Sequence, residues 1–191
     1  MSTRTFIAGL ALAASLALPT STLAQKPQEL TALDYIQIQQ LVAQYARAID
    51  TCSNNGYDYA DLYTADGVFL PMVNGKSITG IQGREKLAEV SGGGSRGCKN
   101  VGWIKQGVRH IYTNHIITPT PAGATGTVDM LMIGLGGDPN KIQHDGYYED
   151  AYVKTAQGWR FKQRTHHALL EGGRSTGPAA TPVAPPSGGP R

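Results

Sequence analysis

Residues 34–56 read DYIQIQQLVAQYARAIDTCSNNG, a stretch that combines an amphipathic helix with an abrupt stop. Within it, apolar residues recur at spacings of three and four, which places them on one stripe of a helix. The stripe consists of Ile38, Leu41, Val42, Tyr45 and Ile49. We therefore predict a helix over residues 31–49, with Tyr45 pointing inward.

Both ends of this helix carry their own signals. Thr31 and Asp34 are spaced as in a capping box, in which the hydroxyl and the carboxylate each accept an otherwise unpaired backbone N–H. Asp50 follows Tyr45 by five residues, which separates them by about 140° around an ideal helix. The two side chains can meet one cavity only if the helix ends near Asp50, and the sequence CSNNG at 52–56 ends it there.

The remaining segments predict an α+β fold, in which helices come first and an antiparallel meander follows. Two further short helices are predicted at 58–64 and 84–90, with a short strand at 67–72. Long strands are predicted at 108–118, 124–135, 143–155 and 159–167, with turn sequences between them.

Five motifs resemble, in their order, those of SnoaL-like proteins in the nuclear-transport-factor-2-like superfamily. They are YARAID at 45–50, DYADLYTADGVF at 58–69, GRE at 83–85, RHIYTN at 109–114 and GYYEDAYVKTAQGWRF at 146–161. The resemblance spans roughly residues 30–164. It implies a cone-shaped, curved antiparallel sheet wrapped around N-terminal helices, with an internal pocket. Relatives include scytalone dehydratase, bile-acid 7α-dehydratases and proteins with no chemistry, so the fold predicts a pocket and not a reaction.

The resemblance also implies a catalytic set. Tyr45, Asp50 and His110 fall where the bile-acid dehydratases keep a tyrosine, an aspartate and a histidine, whereas their fourth residue, an aspartate, aligns with Met132. In this reading His110 moves the proton, Tyr45 polarises an oxygen, and Asp50 orients the imidazole. The plainer alternatives are a core tyrosine and, for Asp50, a surface turn residue.

Strand alternation groups the candidate substrate-binding residues but leaves open which face is inside. His110 shares a face with Tyr112 and Asn114, and the resemblance favours this face as the inner one. On the third long strand, Tyr148 and Asp150 share a face. The candidate substrate-binding residues are therefore Tyr112, Asn114, Met132, Tyr148 and Asp150.

Two other residues on these strands are expected outside the pocket. His115 has the opposite parity to His110, so we expect it at the surface or at a subunit contact. Arg164 could clamp a phenolate or a carboxylate, but an outward-facing arginine is the more usual arrangement.

The N-terminal segment and the cysteines indicate export. An apolar run at 6–18 follows Arg4 and precedes the small residues before Gln25, so residues 1–24 read as a secretory signal peptide of a periplasmic or secreted protein. Cys52 and Cys98 are the only cysteines, and a disulfide between them is expected in an oxidising compartment.

Composition bounds the remaining possibilities. Between the signal peptide and a Pro- and Gly-rich tail at 172–191, expected to be disordered, residues 25–171 form one domain. The net charge of +3 is spread along the chain, so no nucleic-acid partner is predicted, and no membrane association after cleavage. Histidine spacing predicts no metal site, and no cofactor is predicted. The resemblance implies a homodimer or homotrimer.

Two functions from different classes remain. The first is a cofactor-independent lyase of dehydratase type, or a related C–C lyase, isomerase or cyclase, that acts by acid–base catalysis. Its substrate would be a hydrophobic, aromatic or polycyclic hydroxylated small molecule. The second is a non-catalytic exported protein of the same fold that binds a small molecule.

Overall fold

The computed structural model describes residues 26–27, 29–73, 76–98, 107–134 and 142–168, without the side chains of residues 73 and 143–145. The expected signal peptide and the Pro- and Gly-rich tail lie outside these residues. The domain boundaries at 24 and 172 therefore stay predictions.

The first helix forms as the sequence predicts. Helix α1 spans Ala32–Thr51, and its capping box is present. The side chain of Thr31 accepts from the backbone N–H of Asp34, and the side chain of Asp34 accepts from the backbone N–H of Thr31. It ends at Cys52, which adopts the left-handed conformation with φ 50°, and a short 3-10 helix, Ser53–Gly56, follows. No helix among the described residues is long and apolar enough to cross a membrane.

In the part of the chain that the structure describes, seven strands form one curved, unclosed sheet beside the helices. They are β1 (Tyr63–Val73), β2 (Lys76–Ser77), β3 (Ile81–Gln82), β4 (Arg109–Thr120), β5 (Gly123–Ile133), β6 (Ile142–Thr155) and β7 (Gly158–Ala168). The sheet order is β2-β1-β7-β6-β5-β4, and β3 pairs with β1. Strands β4 to β7 form the predicted antiparallel meander, whereas β1 runs parallel to β7. The α+β fold is confirmed.

The second predicted helix is shorter than expected. Helix α2 covers only Tyr57–Ala60, and the residues expected to end the helix at 64 instead begin β1. Tyr63 pairs with Phe161 of β7, and the carbonyl of Leu62 accepts from the Phe161 backbone N–H at 2.9 Å. Sheet pairing therefore overrides the local helical pattern. Helix α3, Arg84–Val90, forms as predicted.

The apolar stripe of α1 packs on the inner face of the sheet. Ile38 and Tyr45 are fully buried, as are Tyr59 and Phe161. Burying an apolar side chain of this size stabilises a fold by roughly 1.5–3 kcal/mol. This shared core fixes the angle of α1 against β4 and β7, and with it the position of the residues at the end of the helix.

Asp34 anchors the other end of α1 to the sheet. Its Oδ1 accepts hydrogen bonds from Lys154 Nζ at 2.7 Å and from the indole Nε1 of Trp159 at 3.0 Å. The capping aspartate of α1 therefore also fastens the helix to the β6–β7 hairpin.

Candidate active site

Asp50 and His110 form a buried pair where α1 ends and β4 begins. The Asp50 carboxylate accepts the backbone N–H of His110 at 3.0 Å, and its Oδ1 lies 2.5 Å from the ring Nδ1. Because an ionised carboxylate can only accept, we assign the ring proton to Nδ1, which leaves Nε2 for proton transfer. The two side chains are 5% and 6% exposed, so water screens their interaction little.

The helix end that delivers Asp50 is fixed by a covalent link. Cys52 and Cys98 form the predicted disulfide, with their Cα atoms 6.1 Å apart. It ties the glycine-rich segment before Cys98 to the turn after α1. Gly93 packs so closely there that a Cβ would lie 1.9 Å from the carbonyl oxygen of Asn55, so only glycine fits. The position of Asp50 is thus held by the helix, the disulfide and this close contact.

A cleft of about 460 Å³ lies between α1 and the edge strand β4, within the range of small-molecule sites. It is lined by Gln39, Val42, Ala43, Ala46, His110, Tyr112, Thr113, Asn114, His115 and Val128. Other cavities of about 390 and 380 Å³ lie elsewhere on the molecule, and neither is lined by His110. The cleft between α1 and β4, called the α1–β4 cleft below, is therefore the candidate substrate site.

Tyr112 and Met132 surround His110 on the sheet. The Tyr112 ring lies nearly parallel to the imidazole, with ring centres 6.4 Å apart, and its buried hydroxyl has no hydrogen-bond partner among the described residues. Met132 pairs directly with His110 across β4 and β5. The position that carries an acid in the bile-acid dehydratases is therefore beside the imidazole but apolar here.

Tyr45 points inward, as the helical stripe predicts, and lies behind Tyr112. Its ring centre is 5.9 Å from that of Tyr112. Its hydroxyl accepts from Tyr59 at 3.3 Å, and the Tyr59 hydroxyl lies 3.1 Å from that of Tyr63. Burial raises the pKa of Tyr45 well above its usual value, so the phenol is neutral. The Tyr45 hydroxyl thus belongs to a tyrosine cluster in the core.

Arg164 lies inside the fold, which corrects the expectation of an outward side chain. It is fully buried, and its guanidinium carbon is 4.0 Å from the ring centres of both Tyr45 and Tyr148. The pairing of β6 with β7 shifts register between Phe161 and Gln163, so alternation along β7 is interrupted and Arg164 turns inward. Simple strand parity gives no signal for such a bulge.

Asp150 is the nearest carboxylate to this buried cation. Its Oδ1 lies 3.4 Å from Arg164 Nε, and its Oδ2 accepts from the Tyr152 hydroxyl at 2.7 Å. Burial raises the pKa of Asp150 to about 6, opposed by Arg164 and by the Tyr152 hydrogen bond. Tyr148 is also buried, so the face predicted to carry Tyr148 and Asp150 is the inner face.

The predicted parity of β4 is wrong beyond Thr113. Asn114 has φ 53°, and the pairing with β5 shifts register between Thr113 and Ile116, so a bulge inserts one residue. Asn114 is exposed and donates to Asp129 Oδ2 at 2.8 Å, whereas His115 turns toward the interior. An inward Asn114 and an outward His115 were expected; the bulge turns His115 inward and leaves Asn114 at the exposed rim of the cleft.

The sequence and the fold are similar to those of known proteins. A family model described as a SnoaL-like domain matches residues 30–165. No curated protein matches the sequence.

Similar solved structures share the fold at low sequence identity. An NTF2-like protein with a cystatin-like fold from Novosphingobium aromaticivorans is 20% identical, with 74% of this chain and 84% of that chain covered and a TM-score of 0.59. A protein of unknown function from Mycobacterium tuberculosis is 24% identical, with 72% of each chain covered and a TM-score of 0.56. A protein provisionally named a scytalone dehydratase, from N. aromaticivorans, is 20% identical, with 72% and 85% covered and a TM-score of 0.53.

Proposed function

The chain belongs to the SnoaL-like domain family, and on that premise we propose that it is a cofactor-independent lyase of dehydratase type. Its substrate is a hydrophobic hydroxylated compound with an aromatic or polycyclic skeleton. The observation that carries the proposal is the buried Asp50–His110 pair, whose imidazole lines an open cleft together with Tyr112. The provisional dehydratase name of one similar structure agrees with this class of reaction.

The pair supplies both halves of an elimination. Nε2 of His110 removes a proton from a carbon next to a carbonyl or phenolic system. The C–H electron pair becomes the new C=C bond, the adjacent C–O bond breaks, and hydroxide leaves with the proton held by the imidazolium. One water is released and the ring returns to its neutral form. Asp50 stabilises the imidazolium while it exists and holds Nδ1 protonated.

A tyrosine hydroxyl stabilises the oxygen on which negative charge develops. Sequence resemblance assigns this role to Tyr45, whose hydroxyl is bound by Tyr59. Tyr112 lines the cleft, and its hydroxyl is buried behind the cleft surface, close to Tyr148. Because Tyr112 lines the cleft and Tyr45 does not, we assign the contact to Tyr112, whose hydroxyl turns toward the cleft when the substrate binds, with Tyr45 behind its ring. A neutral phenol is suited to this task because a positioned donor is worth most in a site that excludes water.

The setting of the enzyme is part of the proposal. A disulfide persists in oxidising compartments, which supports export to the periplasm or beyond, with residues 1–24 removed. An assembly of two or three copies through the outer face of the sheet is proposed from the family resemblance alone.

The test begins with substrate discovery. Full-length protein, expressed with export, is incubated with a panel of β-hydroxy ketones on aromatic and steroid skeletons, and loss of water is followed by mass spectrometry. We expect His110→Ala to lower turnover by roughly 10²–10⁴ and Asp50→Asn to lower it without loss of fold. His167→Ala is the matched control, because His167 stacks on Tyr147 away from the cleft. Full activity in His110→Ala would rule out the mechanism.

A non-catalytic binding protein is the second candidate, and one observation favours it. The Tyr45 hydroxyl is already engaged in the core, and the fourth acid is replaced by Met132, so the catalytic set of the bile-acid dehydratases is incomplete. In that case the protein would retain a ligand through purification without converting it. His110→Ala would then change affinity alone.

A further inference from the structure

A second histidine enters the α1–β4 cleft through the β4 bulge. His115 is half-buried, lines the cleft, and brings its Nε2 to 3.0 Å from the hydroxyl of Tyr152. The proposed lyase chemistry requires only His110, so His115 has no role in it.

The hydrogen bonds behind His115 fix which ring nitrogen carries the proton. The Tyr152 hydroxyl donates its only proton to Asp150 Oδ2 at 2.7 Å. The Tyr152 oxygen must therefore accept from His115, so the proton of the neutral imidazole lies on Nε2. Nδ1 keeps its lone pair, and no described residue donates a hydrogen bond to it. This is the opposite tautomer to that of His110.

The Asp150 carboxylate, which is the last acceptor in the hydrogen bonds from His115 through Tyr152, is itself held in place. Asp150 is buried with Arg164 Nε 3.4 Å away, and with a pKa of about 6 it is mostly ionised at pH 7. An ionised Asp150 can only accept, which preserves the direction of the hydrogen bonds.

Gly126 on β5 leaves the space in which His115 and Tyr152 meet. A Cβ at this position would lie 3.0 Å from Tyr152 Cε2, 3.3 Å from His115 Nε2 and 2.7 Å from the carbonyl oxygen of Ile116. The bulge, the glycine and the Tyr152–Asp150 link together hold the imidazole in one orientation at the cleft.

We propose that His115 is a ligand-binding residue whose Nδ1 accepts a hydrogen bond from a hydroxyl group of the compound in the α1–β4 cleft. Burial, with a further contribution from Arg164, lowers the pKa of His115 to about 4, which keeps the ring a neutral acceptor at pH 7. Because both histidines line the same cleft, the ligand can place one oxygen group at each of them. That orientation rests on the proposed function of His110; the hydroxyl contact does not.

The first test uses full-length His110→Ala protein, in which the other cleft imidazole is absent and turnover does not interfere. Binding of 4-hydroxybiphenyl and 4-methoxybiphenyl is compared by calorimetry at pH 7. We expect the phenol to bind roughly three- to tenfold more tightly, the value of one neutral hydrogen bond. His115→Gln added to this background keeps a polar group near Tyr152 but loses the acceptor at Nδ1, so the preference should disappear.

His115→Asn places an acceptor near the position of Nδ1 and should retain part of the preference, whereas His167→Gln should leave it unchanged. Near-ultraviolet circular dichroism verifies that each variant keeps its fold. Absence of a preference for the phenol in His110→Ala, including failure to bind it, would overturn the proposal. So would a preference that survives His115→Gln.

A second measurement needs no ligand. Side-chain ¹⁵N NMR of the wild-type protein should show His115 protonated at Nε2 and not at Nδ1, with this tautomer losing its dominance in Tyr152→Phe. A proton on Nδ1 in the wild type would also overturn the proposal. Both tests are independent of turnover, so failure of the lyase proposal would leave their outcome readable.

Discussion

Two buried aspartates have opposite pKa shifts because their neighbours differ. Asp34 accepts hydrogen bonds from Lys154, Thr31 and Trp159, which hold its pKa far below its usual range. At Asp150 burial has the largest effect and raises the pKa, although Arg164 beside it acts in the opposite direction. The same side chain is therefore a structural anchor in one place and a titrating group near pH 6 in the other.

The raised pKa of Asp150 predicts a pH-dependent loss of stability. Its value rises from 3.8 to about 6 on folding, so the folded state binds the extra proton between these pH values. The contribution of Asp150 to the free energy of unfolding therefore falls as pH rises through this window, by on the order of 3 kcal/mol in total. Urea unfolding of the wild type and of Asp150→Asn measures the difference between their free energies of unfolding. This difference should favour the wild type more at pH 4 than at pH 7. Parallel pH profiles of the two proteins would contradict this.

Two tyrosines on neighbouring elements are expected to differ in their effect on turnover. Tyr112→Phe removes the hydroxyl that we propose as the oxyanion donor, and the loss of one such donor lowers kcat by roughly 10²–10³. Tyr45→Phe removes an acceptor for Tyr59 in the core and should cost about 1 kcal/mol of stability, with a smaller effect on kcat. Steady-state kinetics and thermal melts of both variants separate these effects. A larger kcat loss in Tyr45→Phe would return the direct role to Tyr45.

At the level of elements, the bulge in β4 determines which histidines face the cleft. A regular strand would put His110 and His115 on opposite faces, because their separation is an odd number of residues. The left-handed Asn114 inserts one residue and brings both to the inner side. One backbone conformation thus changes the composition of the cleft.

This conformation predicts an unusual substitution pattern at position 114. Asn tolerates the left-handed region, whereas a β-branched residue there should cost roughly 1–2 kcal/mol. Asn114→Val should therefore destabilise the protein, and Asn114→Gly should be close to neutral. Thr113→Val, one residue earlier on the exposed side, is the matched control and should change stability by less than about 0.5 kcal/mol. Chemical denaturation measures all three, and a neutral Asn114→Val would show that the bulge is not required.

At the scale of the whole molecule, the disulfide restricts the unfolded chain, because it links Cys52 after α1 to Cys98 before β4. Its cysteines are 46 residues apart, and closing a loop of that length is worth about 4 kcal/mol in the chain-entropy description. We expect the double variant Cys52→Ser/Cys98→Ser to lose 2–4 kcal/mol (roughly the usual range) in urea unfolding. Addition of reductant to the wild type should produce the same loss. Non-reducing mass spectrometry of exported protein should find no alkylatable thiol, and two such thiols would contradict the prediction.

The sequence alone determined those features that depend on local physical chemistry. The stripe of α1, its capping box and its stop after Asp50 depend on residues within a few positions of each other, and all three form as predicted. The long strands of the meander follow from short apolar runs and turn residues in the same way. The inward direction of Tyr45 follows from helical spacing, and the expectation of export predicted that the two cysteines pair.

Tertiary structure decided the features that depend on pairing between distant strands. Register shifts in β4 and β7 turned His115 and Arg164 inward and Asn114 outward. Each shift is a bulge, in which the pairing with the neighbouring strand leaves one extra residue without a partner. The same pairing turned the end of the predicted second helix into β1, since Tyr63 gains a partner in Phe161. Alternation within one strand cannot reveal an inserted residue, because the space that it fills is set by partner strands many residues away.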